Sequence, residues 1–126
     1  MVNAYAGATA PTGWLLCYGQ AISRTTYSAL FTAISTTYGV GNGTTTFTLP
    51  DMRGRAVAGQ DDMGGTSANR LTTPINGDTL GAAGGTEAHV HTNTNVAGTF
   101  SWDNTGTMGA APNLQPTIVL NYIIKT

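Results

Sequence analysis

APTGWLLCYGQAISRTTYSALFTAISTTYGVGNGTTTFTLPDMRGR, residues 10–55, contains the one stretch of this chain with a clear helical period. Tyr27, Leu30, Phe31 and Ile34 fall at i, i+3, i+4 and i+7, one face of a 3.6-residue repeat, which predicts a helix over Ser23 to Tyr38. Ser23, Thr25 or Thr26 can cap its start, and Gly39 supplies a left-handed stop. On the upstream side, Val2 to Tyr18 alternates weakly around Pro11 and Gly13, which reads as two short strands with a bend between them. On the downstream side, Gly41-Asn42-Gly43 reads as a turn and Thr44 to Leu49, rich in β-branched residues, as a strand.

Two readings stand for the block that closes the stretch, Leu49-Pro50-Asp51-Met52-Arg53-Gly54-Arg55. Arg53 and Arg55, at i and i+2 of an extended segment, project to one side and can clamp a carboxylate or phosphate. In the structural reading, Asp51 bonds backbone amides of a turn while an arginine pairs with an acid across the core. The single cysteine, Cys17, lies in the apolar run Trp14 to Tyr18. It forms no internal disulfide and reads as a small buried hydrophobe.

Three blocks carry a resemblance. The first comprises Pro11, Gly13, Trp14, Cys17, Gly19, Gln20, Ser23, Arg24, Tyr27, Leu30, Phe31, Ile34, Tyr38 and Gly39, and closes on Leu49-Pro50-Asp51-x-Arg53-Gly54-Arg55. The second is Gly84-Gly85-x-Glu87 leading into His89-Val90-His91. The third is Asn113-Leu114-Gln115-Pro116 followed by Asn121-Tyr122-Ile123-Ile124-Lys125. In this order they resemble the phage tail collar domain of tail fibres and related cell-surface-binding proteins. The resemblance implies a homotrimeric fibre tip in the virion tail, attached to other tail or fibre subunits. It also implies binding to a host cell-surface glycan or other outer-membrane receptor, and an assembly helper for folding. A structural tail or baseplate component without receptor contact is the alternative.

Composition agrees with a covered or sugar-facing surface. Charged residues are 9% of the 126, against about a quarter in ordinary soluble domains. Five Lys plus Arg and six Asp plus Glu leave a formal net charge of -1, which gives no footprint for nucleic acid or an anionic membrane. No apolar run approaches the roughly 20 residues of a membrane span, and no signal peptide is visible at the start. The expectation is production in the bacterial cytoplasm.

The two histidines, His89 and His91, lie two apart. In a strand such residues share a face, so both imidazoles reach one point. Two imidazoles make an incomplete site, but three parallel copies supply six nitrogens, enough for an octahedral ion on a threefold axis. Long tail-fibre tips carry His-x-His repeats that bind iron along the trimer axis, and the resemblance places that role on His89 and His91. One such motif implies one ion per trimer, Fe(II), with Ni or Zn as alternatives. The bland reading is a solvent-facing pair. Glu87 is a candidate partner that orients an imidazole through its other nitrogen. It would alternatively complete a 2-His-1-carboxylate enzyme site, although three consecutive same-side residues reach a facial geometry with difficulty.

Other enzyme signals are missing: no Gly-x-Ser-x-Gly, phosphate loop or dinucleotide fingerprint occurs. The chain is read as a non-enzyme.

Gln60 to Thr86 has no period and many glycines, and Asp61-Asp62 reads as a solvated turn, not a calcium loop. Thr92 to Ala111 reads as a β-hairpin or distal loop turning at Asp103-Asn104-Thr105-Gly106. Within it Phe100 and Trp102 are candidates for sugar stacking, and Asn93, Asn95 and Asn104 for hydrogen bonding to hydroxyls. Trp102 packed inside a trimer is the competing reading. Thr117 to Ile124 reads as a strand, buried in this domain or against a neighbour. The fold expected is α+β. A small mixed tail-collar-like domain with one main helix and short strands spans 1–60, and an extended, β-rich, intertwined trimeric segment spans 61–126.

Overall fold

The structure, a computed structural model, describes residues 1–85 and 116–126, together with the backbone pairing of 88–89 and 111–112. It divides into two units, Met1–Ala83 with Ile118–Thr126, and Gly84–Thr117. The first is a small α+β assembly of one short helix and antiparallel sheets.

Its main sheet has the order β1-β7-β2, from Val2–Tyr5, Asn121–Lys125 and Trp14–Leu16. The chain's last strand is therefore the central one, although it belongs by sequence to the segment after residue 60. It pairs antiparallel on both flanks, with Val2 opposite Ile124 on one side and Leu15 opposite Ile124 on the other. Alternation explains why this strand is wanted there. Tyr122 and Ile124 are the inner-facing residues that meet the core, and Ile124 is 1% exposed. The strand is shorter than the Thr117–Ile124 expected. The ladders to β1 and β2 end at Asn121 and Ile123, so neither strand continues alongside residues 118–120.

A second, two-stranded sheet pairs β3, Ala21–Ser23, with β4, Thr46–Thr48. Between them lies the helix α1, Ser28–Ile34. It is shorter than the Ser23–Tyr38 expected at both ends. Ser23 pairs with Thr46 in the β3–β4 ladder, so a helix cannot begin there. Its hydroxyl instead accepts a bond from the Thr26 amide, holding the turn before the helix. At the other end Ser35, at φ 48, closes the helix four residues before Gly39. The expected apolar face is intact: Leu30 is buried, and Tyr27, Phe31 and Ile34 pack against the core.

That core comprises Cys17, Leu30, Phe47, Leu49 and Ile124. Phe47 is wholly buried, and its ring meets Phe31 at 5.1 Å between centroids in a tilted arrangement. Arg24 lies over the outer face of Phe31, 4.7 Å from the centroid. Its guanidinium donates to the carbonyls of Thr46 (2.8 Å) and Val40 (3.3 Å), so one planar cation ties β4, the loop before it and the helix. The turn at 41–45 is built around Asn42, whose Oδ1 accepts from the amides of Thr44, Thr45 and Thr46. Gly41 is required there: at φ 62, an added Cβ would sit 2.7 Å from the Thr46 backbone.

The aperiodic stretch after residue 60 closes on itself. The Asp61 carboxylate accepts from the amides of Arg70 (2.7 Å) and Leu71 (2.6 Å). Backbone bonds join Asp61 to Gly77 and Ala68, and Gly77 to Leu71. Asp61 is thus a loop organiser and not the solvated turn residue expected, because its short side chain reaches amides nine and ten residues on.

Candidate functional site

The sequence directs attention to two places. At the first, His89 stands in β5, Ala88–His89, which pairs antiparallel with β6, Ala111–Pro112, placing His89 opposite Ala111. These two strands frame the stretch expected to form a hairpin or distal loop. Glu87, His91, the receptor candidates Asn93, Asn95, Phe100, Trp102 and Asn104, and the turn at 103–106 lie outside the described residues. Among the described residues no three His, Cys, Asp or Glu side chains gather into a metal site.

At the second place, the Leu49–Arg55 block is a structural corner. Leu49 is 0% exposed, and Pro50 is buried beside it. Asp51 bridges to Tyr18, and the Met52 amide donates to the Cys17 carbonyl at 3.0 Å. Gln20 pins the same corner, with Nε2 donating to Leu16 and its backbone carbonyl accepting from Leu49. Gly19 crosses close by at φ 77, where a Cβ would press on the Asp51 side chain at 3.1 Å. These contacts give the Gly19-Gln20 and Pro50-Asp51 pairs a packing role.

Arg53 does not offer its fork to an outside anion. It is engaged bidentately by Asp51, Nε to Oδ1 and Nη2 to Oδ2, each at 2.8 Å. The Arg53 amide adds a third bond to Asp51 Oδ1. The arginine–acid pair thus forms within one turn and not across the core; Arg24 does the cross-core work. The side-chain bond to Arg53 holds the Asp51 carboxyl down at about 2, and the same bond pushes the Arg53 guanidinium up. Because the folded Asp51 value lies below the ordinary 3.8, its stabilising effect is present above that value and lost as pH falls through about 2. Asp51→Asn is expected to flatten the stability decline below pH 3.8, read from urea midpoints at stepped pH. The difference at neutral pH should be small and reduced by salt, since the pair is exposed. A wild-type decline matched by the variant would remove Asp51 as its cause.

Sequence reasoning missed a groove beside this corner, of about 270 Å³, lined by Leu16, Tyr18, Met52, Val119 and Leu120 among others. Its signal was present in the run Thr117 to Leu120, read as strand. Cys17 lies at its floor, 4% exposed, with burial pushing the thiol up to about 11. That is the inert hydrophobe expected of it.

Residues 1–57, which hold β1, β2, the β3–β4 ladder, the helix and the Leu49–Arg55 corner, match the phage tail collar domain, and this part of the chain belongs to that family. The chain is also 37% identical over 84 residues to the uncharacterized protein StfE of Escherichia coli (strain K12), an alignment covering 67% of this chain and 38% of StfE. It therefore spans well under half the length of that relative. No helix among the described residues is long and apolar enough to cross a membrane.

Proposed function

We propose that this chain forms the homotrimeric tip of a phage or phage-derived tail fibre. It binds a cell-surface glycan or other receptor of the host and is held together by a metal ion on the trimer axis. The collar domain over residues 1–57 carries the reading; the His89-x-His91 pair and the low charge content support it. The collar-like N-terminal half attaches to a shaft or other tail subunits, and the 61–126 segment supplies the extended, intertwined, β-rich distal part of the trimer.

His89 and His91 of each chain are the ligands. Six neutral imidazole nitrogens suit Fe(II) or Ni(II) better than tetrahedral Zn. The ion links chains and carries out no reaction, so the protein is not an enzyme. Glu87 orients an imidazole. Phe100 and Trp102 stack on sugar rings, with Asn93, Asn95 and Asn104 meeting hydroxyls without the desolvation cost of charges.

Elemental analysis with absolute mass by light scattering tests this directly. A trimer holding about one third of an ion per chain is expected, from one octahedral site shared by three copies. The ion should be lost in His89→Ala/His91→Ala, with a lower melting temperature. A metal-free trimer would remove the axial site and leave the fibre assignment. A monomer with one ion per chain would overturn the trimer and favour a 2-His-1-carboxylate centre. Host binding that survives deletion of residues 92–111 would favour the purely structural tail or baseplate role.

A further inference from the structure

We infer that Asn76-Gly77 is a site of self-modification, where deamidation of Asn76 unlatches the loop closed by Asp61. It lies within the unit Met1–Ala83 and needs neither a partner chain nor a metal. The chain contains two Asn-Gly pairs among its described residues, Asn42-Gly43 and Asn76-Gly77. Asparagine is thermolabile, most of all before glycine, whose amide has no Cβ beside it to hinder approach to the side-chain carbonyl carbon. The step consumes only water. The Gly77 amide gives its proton to solvent base, and its nitrogen bonds to Asn76 Cγ. The bond from Cγ to the side-chain nitrogen breaks, and that nitrogen takes a proton from water and leaves as ammonia. The cyclic succinimide so formed adds water at either carbonyl and opens to aspartate or isoaspartate.

The fold separates the two pairs. Both asparagines are exposed, and both glycine amides donate to a carbonyl, Gly43 to Val40 at 3.0 Å and Gly77 to Leu71 at 2.7 Å. Their side chains differ. Asn42 Oδ1 accepts from the amides of Thr44, Thr45 and Thr46, and its Nδ2 donates to Thr45 Oγ1 at 2.7 Å. Turning Cγ towards Gly43 breaks all four bonds and undoes the turn that feeds β4. Asn76 Oδ1 accepts a single bond, from the Asp78 amide at 3.1 Å, and among the described residues its side chain makes no other. Asn76 also stands at the neck of the loop. Gly77 is buried, and its carbonyl accepts from the Asp61 amide at 2.8 Å. A Cβ there would lie 2.7 Å from Asp61 Oδ2 and 2.8 Å from Leu71 Cβ. Isoaspartate adds a main-chain carbon immediately before this tight point, so the bonds of Gly77 to Asp61 and Leu71 cannot both be kept. Either product also adds a negative charge next to Gly77, which the Asp61 carboxylate already approaches.

The full chain, held in mildly alkaline buffer, tests this when both asparagines are followed by peptide mapping and isoaspartate is counted with an isoaspartyl methyltransferase. With three fewer bonds to break, Asn76 should convert at least about tenfold faster than Asn42 in the folded protein. In urea, where neither turn exists, the two rates should be alike. Trypsin cleavage after Arg70, whose amide the Asp61 carboxylate holds, should rise in step with isoaspartate at position 76. Asn76→Gln, whose longer side chain closes its ring far more slowly, should keep the loop shut over the same incubation. Equal rates in the folded protein, or a faster Asn42, overturn the site. So does a folded chain whose Asn76 stays intact while the chain in urea converts. Conversion at 76 with unchanged cleavage after Arg70 overturns the latch.

Discussion

Ending the chain after Leu120 is expected to abolish the fold of the collar unit. The six residues removed contain all of β7, the strand to which β1 contributes four register pairs and β2 three. Without it β1 and β2 have no partner in the sheet. Ile124 leaves the core, and Ile123 loses its burial on the other face of the strand, from 1% and 5% exposure, each a loss of roughly 1.5–3 kcal/mol of apolar burial. The strands' own backbone groups lose their bonds at the same time. Together these losses reach the whole stability of an ordinary domain, about 5–15 kcal/mol. Near-ultraviolet circular dichroism should show no fixed environment for Trp14 or Tyr27, and limited proteolysis should cut throughout residues 1–57. A truncated chain that still unfolds cooperatively would mean that β1 and β2 find another partner, and the sheet order given above would be wrong in solution.

Phe47→Ala should have the largest effect of any single substitution in the core, about 3–5 kcal/mol. The ring is wholly buried between the helix and the β3–β4 ladder, and its loss leaves a cavity that the backbone pairing of Ile22 with Phe47 prevents from collapsing. The tilted contact with Phe31 at 5.1 Å goes with it, and such ring pairs contribute about 0.5–1.5 kcal/mol beyond their area. Phe31 also carries the Arg24 guanidinium, so the damage spreads to the cation that ties helix to strand. In urea, with a slope of about 1–3 kcal/mol/M, the midpoint should fall by more than 1 M. Phe47→Leu should fall much less, since most of the volume is kept. Equal midpoints for the two variants would show that ring volume is not what holds the site.

The helix was legible in its face and not in its length, and the reason is physical. Tyr27, Leu30, Phe31 and Ile34 advertise their common side through a repeat that any window of the sequence contains. The ends are set from outside the window: Ser23 is claimed by Thr46, more than twenty positions away. The same holds for the two arginines of the closing block. Spacing placed Arg53 and Arg55 on one side, but only the folded corner reveals that Asp51 already occupies the Arg53 fork. Asp61 was read as a surface acid because its partners, the amides of Arg70 and Leu71, carry no side-chain signature. The strand at the end of the chain was legible from β-branched composition. Its halt at Asn121 was not, since that depends on where β1 and β2 stop. Of the metal and receptor candidates, only the backbone of His89 falls among the described residues, in the ladder opposite Ala111.

The sandwiching of β7 between β1 and β2 sets a clock on biosynthesis. Leu16 leaves the ribosome a little over one hundred residues before its partner Ile123, an interval of roughly 5–20 s at bacterial or eukaryotic synthesis rates. Throughout that time the nascent sheet has two outer strands and no middle. Trp14, Leu15 and the core face of the helix must wait, exposed to whatever chains are being made nearby. Chains made on neighbouring ribosomes of one message are thus most open to mispairing at the stage when they are closest together. Slowing or crowding translation should lower the yield of soluble protein more than the stability of the finished fold would suggest.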